Sequence, residues 1–137
     1  MAMVEIVSRE NKSGRLALGA FVETAGDLLE HGAHLLILDL HPPGRNDPLG
    51  IHGAIWADLT SLDAEPPQKP LTLAAYQRAE AVRAYVEPVA VGDALPDMPL
   101  FLAPHAYIDL PLEKTYTSAF SGVPQRRRSV LDVGNAR

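Results

Sequence analysis

Glu5, Lys12 and Asp39 are the residues whose types and positions first suggest chemistry. Two carboxylates can hold a hard cation such as magnesium, while a lysine beside them stabilises negative charge developing on a phosphate. Ser8, Glu10, Asn11, His41 and Arg45 lie close by in sequence and would add donors and a further acid to a ligand crevice. The plainer alternative is a polar rim at the end of a sheet, with solvated carboxylates and no ligand, because polar residues gather at strand ends whether or not they bind anything.

These residues meet only if the chain folds in a particular way. Val4, Ile6 and Val7 around Glu5 predict a short strand over 3–8, and the polar Ser8 to Gly14 stretch reads as a loop. From 15 to 31, Leu18, Phe21, Val22, Ala25, Leu28 and Leu29 recur every three or four residues, the spacing of a helix with one buried stripe. Gly32 supplies its stop, since glycine tolerates the left-handed turn that ends helices. The run from His34 to Leu40 is apolar on both alternating faces until Asp39, as expected of a strand buried between layers. Strand 3–8, helix 15–31 and strand 34–40 make a βαβ unit with parallel strands and a right-handed crossover. Both strands then end on the same side, which brings Ser8–Lys12 and Asp39–Arg45 to one crevice.

Beyond this unit the pattern weakens. Pro42 to Pro48 must be a surface loop, because proline fixes φ and removes donors. Ile51, Ile55 and Leu59 fit a short helix carrying the lone tryptophan, Trp56, and Ser61 to Pro70 is a polar connection. Leu71 to Tyr76 is too short for periodicity to decide between strand and helix, with the helix favoured beyond Thr72. Tyr85 to Val91 reads as a strand that Pro88 confines to an edge or bulge. Leu95 to Pro104 is broken up by prolines, and a last helix is expected from Pro111, with Leu112, Tyr116, Ala119 and Phe120 inward. The fold class is therefore α/β: a small mixed sheet with a C-terminal strand and helix, in one domain over 1–125, followed by a loosely tethered basic tail over 126–137.

Composition removes several functions. With no cysteine there is no disulfide, no thiolate metal site and no thiol nucleophile. His31, His34, His41, His52 and His105 form no close helical pair, so none is assigned to a metal. Ser8 and Ser129 lack the G-x-S-x-G context of a nucleophilic serine, and no P-loop or dinucleotide fingerprint occurs. The net charge of −5 weighs against non-specific nucleic-acid attraction despite the Arg126–Arg128 run. The longest apolar run is about seven residues where a membrane span needs roughly 20, and no secretory signal is visible, which makes a cytoplasmic location the default expectation.

The segment Glu5-Ile6-Val7-Ser8-Arg9-Glu10-Asn11-Lys12, followed after one helix by His34-Leu35-Leu36-Ile37-Leu38-Asp39-Leu40, resembles a bacterial pattern. It is similar to the family called domain of unknown function 4058, in which E-(L/I)-(L/V)-S-x-x-N-K precedes a helix and an H-L-(V/L)-x-(I/L)-D-L strand. The similarity extends through Asp47-Pro48-Leu49-Gly50-Ile51-His52 and Tyr85-Val86-Glu87-Pro88-Val89 to Pro99–Leu102. Members of that family carry more chain before this strand, so the resemblance implies the C-terminal part of a longer family domain, with one sheet edge left for a second copy or a partner to cover. The element order also resembles part of the PD-(D/E)xK nuclease fold, in which an upstream Asp and the acid of an E-x-K strand bind magnesium. Val7 stands where that lysine is expected, leaving Lys12 as the substitute.

Two expectations result. The first is a non-catalytic domain, needing no cofactor, that acts through self-association or a partner and does not enter a membrane. The second is a magnesium-dependent phosphodiesterase acting on nucleic acid through Glu5, Lys12 and Asp39, with Glu5 and Asp39 as metal ligands.

Overall fold

The computed structural model describes residues 1–114. Its elements run β1 (Ala2–Ile6), α1 (Arg15–Glu30), β2 (His34–Asp39), α2 (Gly50–Thr60), β3 (Leu71–Arg78), β4 (Val82–Val89), β5 (Asp97–Ala103) and β6 (Ala106–Pro111), with a single 3-10 turn at Glu10–Lys12 before α1. The first four strands form one mixed sheet in the order β1-β2-β3-β4, and β5 and β6 form a separate two-stranded sheet. β1 and β2 are adjacent and parallel, with Glu5 opposite Ile37. The βαβ unit expected from the sequence is therefore present.

Side-chain alternation divides the sheet into two faces. Val7, Leu35, Ile37, Ala74 and Tyr76 pack with Leu18, Ala25 and Leu29 of α1 and Ile51 and Ile55 of α2. Leu36, Leu38, Leu73, Ala75 and Val89 face the other way, against Met98 and Phe101 of β5 and Leu112. The result is three layers, with the main sheet between the two helices and the β5–β6 hairpin. A fully buried aliphatic side chain contributes about 1.5–3 kcal/mol relative to exposure, and Leu29, Leu36, Ile51, Ile55 and Leu73 have no exposed surface at all. All six residues of β2 are buried, because that strand has a neighbour on each side and a layer on each face.

α1 forms where its apolar stripe predicts. Gly32, at φ +88°, turns the chain out of it, while the Ala33 N–H donates to the Leu28 carbonyl at 2.9 Å. Gly26 is buried where α1 meets α2, facing the Asp58 carboxylate. Among the described residues no helix is long and apolar enough to cross a membrane.

Two expectations need correction. Leu71–Tyr76 is not helical beyond Thr72 but continues as β3, antiparallel to both β2 and β4. Leu71 through Gln77 are buried, so the strand shows no alternation, and Ala74 and Ala75 bias the local propensity toward helix. Tertiary pairing on both sides overrides that bias. The proline-broken stretch from Leu95 to Pro104 contains β5, which pairs with β6 in a hairpin. Pro111 closes β6, and helical backbone starts at Leu112 and continues through Lys114. Tyr116, Ala119 and Phe120, expected inward on the last helix, lie outside the described residues, as does the basic tail. β4 is an edge strand carrying Pro88, as its sequence requires.

Candidate functional site

The carboxyl ends of β1 and β2 open on the same side, and two loops close over them. The β1–α1 loop is tied by Asn11, whose Oδ1 accepts from the Ser8 N–H at 2.8 Å and the Ser8 hydroxyl at 2.9 Å. This local turn sets the 3-10 segment and aims Lys12 inward, toward the end of β2.

There the Lys12 ammonium lies 3.0 Å from Asp39 Oδ1 and 2.7 Å from Asp47 Oδ2. It also donates to the His41 carbonyl at 2.7 Å and approaches the Pro42 carbonyl at 3.3 Å. An ammonium has three hydrogens, so these acceptors saturate it. The side chains of Lys12, Asp39 and Asp47 are 9%, 4% and 1% exposed, which makes this a buried ionic cluster rather than a surface pair.

The carboxylates are held as firmly. Asp39 Oδ1 also accepts from the His41 N–H at 3.3 Å, and Oδ2 accepts from the Ile51 N–H at 3.2 Å. Ile51 lies in the first turn of α2, whose N-cap residue, Leu49, offers no side-chain acceptor. Asp39 thus reaches across from the end of β2 to cap α2, where the positive end of the helix dipole favours a carboxylate. Gly50, at φ +79°, adopts at the start of α2 a backbone conformation that side-chain-bearing residues rarely take. Asp47 Oδ1 accepts from the Gly44 N–H at 3.0 Å. Its buried Oδ2 makes no directed hydrogen bond and relies on the close ammonium of Lys12 alone. Burial raises the Asp39 carboxyl above the ordinary carboxylate range, and the Lys12 charge and the two N–H donors pull it partly back.

Behind this cluster Tyr76 is wholly buried. Burial, and secondarily the Asp39 charge, push its phenol far above the ordinary range. The hydroxyl therefore keeps its proton, and it is hydrogen-bonded to His52 Nδ1 at 2.6 Å. Desolvation lowers the His52 pKa, so the ring stays neutral, with Trp56 tilted against it at 5.8 Å between centroids.

Of the residues singled out from the sequence, Lys12 and Asp39 are brought into contact. His41 joins them through its backbone, and Ser8 and Asn11 shape the loop. Arg45 stays exposed on the β2–α2 loop. Glu5 is half-buried on the helix side of β1 and lines a groove of about 430 Å³ with Glu10, Asn11, Phe21, Thr24 and Leu28. Neither Lys12 nor Asp39 lines that groove. Among the described residues no three His, Asp or Glu side chains group so as to hold a metal ion. Sequence reasoning missed Asp47, which stands in a proline-flanked stretch that read as surface loop but is 2% exposed. Its carboxylate accepts from the N–H of a residue three positions before it, a contact that no local sequence pattern announces.

Fold and site together define a small α/β domain in which a buried lysine clamps two loops to the carboxyl edge of a βαβ unit. No family model, curated protein or solved structure matches the chain.

Proposed function

We propose that this is a non-catalytic association domain whose binding element is the outer edge of β1, which no strand among the described residues covers. The observation that carries the reading is the contrast between the two edges of the main sheet. β4 exposes Tyr85 and Val86, each at 44%, but it carries Pro88 and Arg83, usual devices against edge pairing. β1 has no proline and no lysine or arginine, and its Val4 and Ile6 are 43% and 66% exposed.

Among the described residues no strand pairs with the outer side of β1. His34 N–H donates to the Met1 carbonyl at 2.8 Å and Val7 N–H donates to the Leu38 carbonyl at 3.0 Å, so the odd-numbered residues face β2. By alternation the N–H and C=O groups of Val4 and Ile6 point away from the sheet, ready to pair with an added strand.

The crevice supports the same reading. The lysine that a phosphodiesterase would aim at a phosphate is saturated by four protein oxygens, and the helix N-terminus that would receive an anion is occupied by Asp39. Ser8, Asn11, Lys12 and Asp39, which carry the resemblance to the domain of unknown function 4058 family, all act here as fasteners of loops. Membership of that family, with the shared motif serving a structural purpose, is part of the proposal.

The test is a Val4→Pro variant of the full chain, which removes an outward N–H while leaving the β1–β2 ladder intact. Short strand-forming peptides of differing charge are titrated against both proteins, with amide exchange followed at Ile6. At least one peptide class is expected to slow exchange in the wild type and to lose affinity for the variant. If no peptide and no increase in protein concentration slows exchange at Ile6, the association reading fails.

A further inference from the structure

The groove beside β1 identifies what kind of strand the edge accepts, an inference that rests on the association reading above. A strand laid along β1 alternates its side chains between two surroundings. On one side they rest on Val4 and Ile6, both apolar and exposed. On the other they enter the 430 Å³ groove, where the Phe21 and Leu28 side chains offer apolar surface and the Glu5 and Glu10 carboxylates stand without a lysine or arginine in the lining. Among the described residues the ion pairs are Lys12 with Asp39 and Asp47, and Lys69 with Asp93, so neither groove carboxylate has a cation of its own. Glu5 is half-buried, which weakens the solvent screening of its charge.

We infer that the β1 edge binds an extended peptide segment of a partner protein in which arginine or lysine alternates with β-branched apolar residues. The apolar positions cover Val4 and Ile6. The basic positions lay their aliphatic stems along Phe21 and Leu28 and bring their cationic ends to Glu5 and Glu10, as long basic side chains do on mixed surfaces. Charge disfavours a second copy in this place. Pairing β1 with β1 about a two-fold axis places the acidic grooves of both copies side by side, bringing four carboxylates together with no cation between them.

The experiment uses the full chain and three synthetic peptides with valine at alternate positions and arginine, glutamine or glutamate between them. Affinity is read by fluorescence anisotropy, and placement by amide exchange at Val4 and Ile6. The arginine peptide is expected to bind about tenfold more tightly than the glutamine peptide, as two partly screened ion pairs allow, and the advantage should shrink with added salt. Glu10→Gln, at an exposed position, is expected to reduce that advantage, and Glu5→Gln with Glu10→Gln to abolish it.

Equal binding of the glutamine peptide, or tighter binding of the glutamate peptide, overturns the inference about partner chemistry and leaves the edge reading standing. So does exchange protection that rises with protein concentration in the absence of peptide, which identifies a second copy as the occupant. Protection of Val4 and Ile6 in the free chain that is already complete at every concentration identifies a segment of the same chain instead, and also overturns the inference. Failure of all three peptides to protect either amide, with no concentration effect, removes the edge reading itself.

Discussion

Replacing Lys12 with methionine keeps most of the side-chain volume and deletes the charge that two buried carboxylates share. Asp39 and Asp47 are 4% and 1% exposed at their side chains, so water does not take the place of the lysine. Breaking a buried pair in this way costs about 3–5 kcal/mol, which is large against the 5–15 kcal/mol total typical of a domain. For a chain of this size that corresponds to a fall in melting temperature of roughly 10–20 °C. The loss has a characteristic pH dependence. Burial already holds the folded Asp39 pKa above the unfolded value of 3.8, and Lys12 is its chief counterweight. Without Lys12 the folded pKa rises further, so the folded state takes up a proton that the unfolded state still lacks. A carboxyl raised in this way costs nothing below its unfolded pKa, and stability falls as pH climbs toward the folded one. Lys12→Met is therefore expected to recover part of its deficit relative to the wild type as pH is lowered from about 7 toward about 4. Adding Asp39→Asn and Asp47→Asn should restore much of the loss at neutral pH. Urea unfolding of the three proteins across this range is the assay. A deficit below about 1 kcal/mol, the scale of a surface pair, or one that does not change with pH, would refute the reasoning.

Three further outcomes are expected. His34 and His52 both have folded pKa values depressed first by desolvation, so stability should be highest above their unfolded value of 6.5 and decline as pH falls through it; His52→Phe should reduce that slope in denaturant melts. Tyr76→Phe leaves His52 Nδ1 without the hydrogen-bond partner that lies at 2.6 Å, and the denaturant midpoint should fall by an amount equivalent to about 1–3 kcal/mol. Gly53→Ala would place a Cβ 2.5 Å from the Leu49 Cβ, so overpacking of about 1–3 kcal/mol should offset or exceed the helix-propensity gain. Gly19→Ala, with nothing within 4 Å, should instead stabilise the chain by about 1 kcal/mol; differential thermal unfolding of the two variants decides the comparison.

The parts of the fold legible in the sequence were those with local patterns. The stripe from Leu18 to Leu29 and the apolar run into Asp39 each specify one element, and their lengths require a parallel pair. β3 was obscured because a strand buried on both faces shows no alternation, and Ala74 and Ala75 carry no mark of the strands beside them. The β5–β6 hairpin was hidden by Pro96, Pro99 and Pro104. Pro99 is tolerated because, among the described residues, β5 pairs only with β6, leaving one side of the strand with no ladder to supply. At the site, Lys12 and Asp39 were readable as strand-end polar residues. Asp47 was not, because the burial of a loop aspartate depends on a lysine 35 positions earlier in the chain folding back over it. That β1 and β4 are the two outer strands of the main sheet was not legible, because it depends on the strand order, which no local pattern carries.

Residue-resolved amide exchange along β1 tests the central claim most directly. In the free chain Val4 and Ile6 are expected to exchange rapidly while Met3 and Glu5, bonded to β2, are slow; an added basic strand-forming peptide should then slow Val4 and Ile6 selectively. Exchange at Val4 and Ile6 as slow as at Glu5 before any peptide is present, or unchanged by every peptide, would contradict the account.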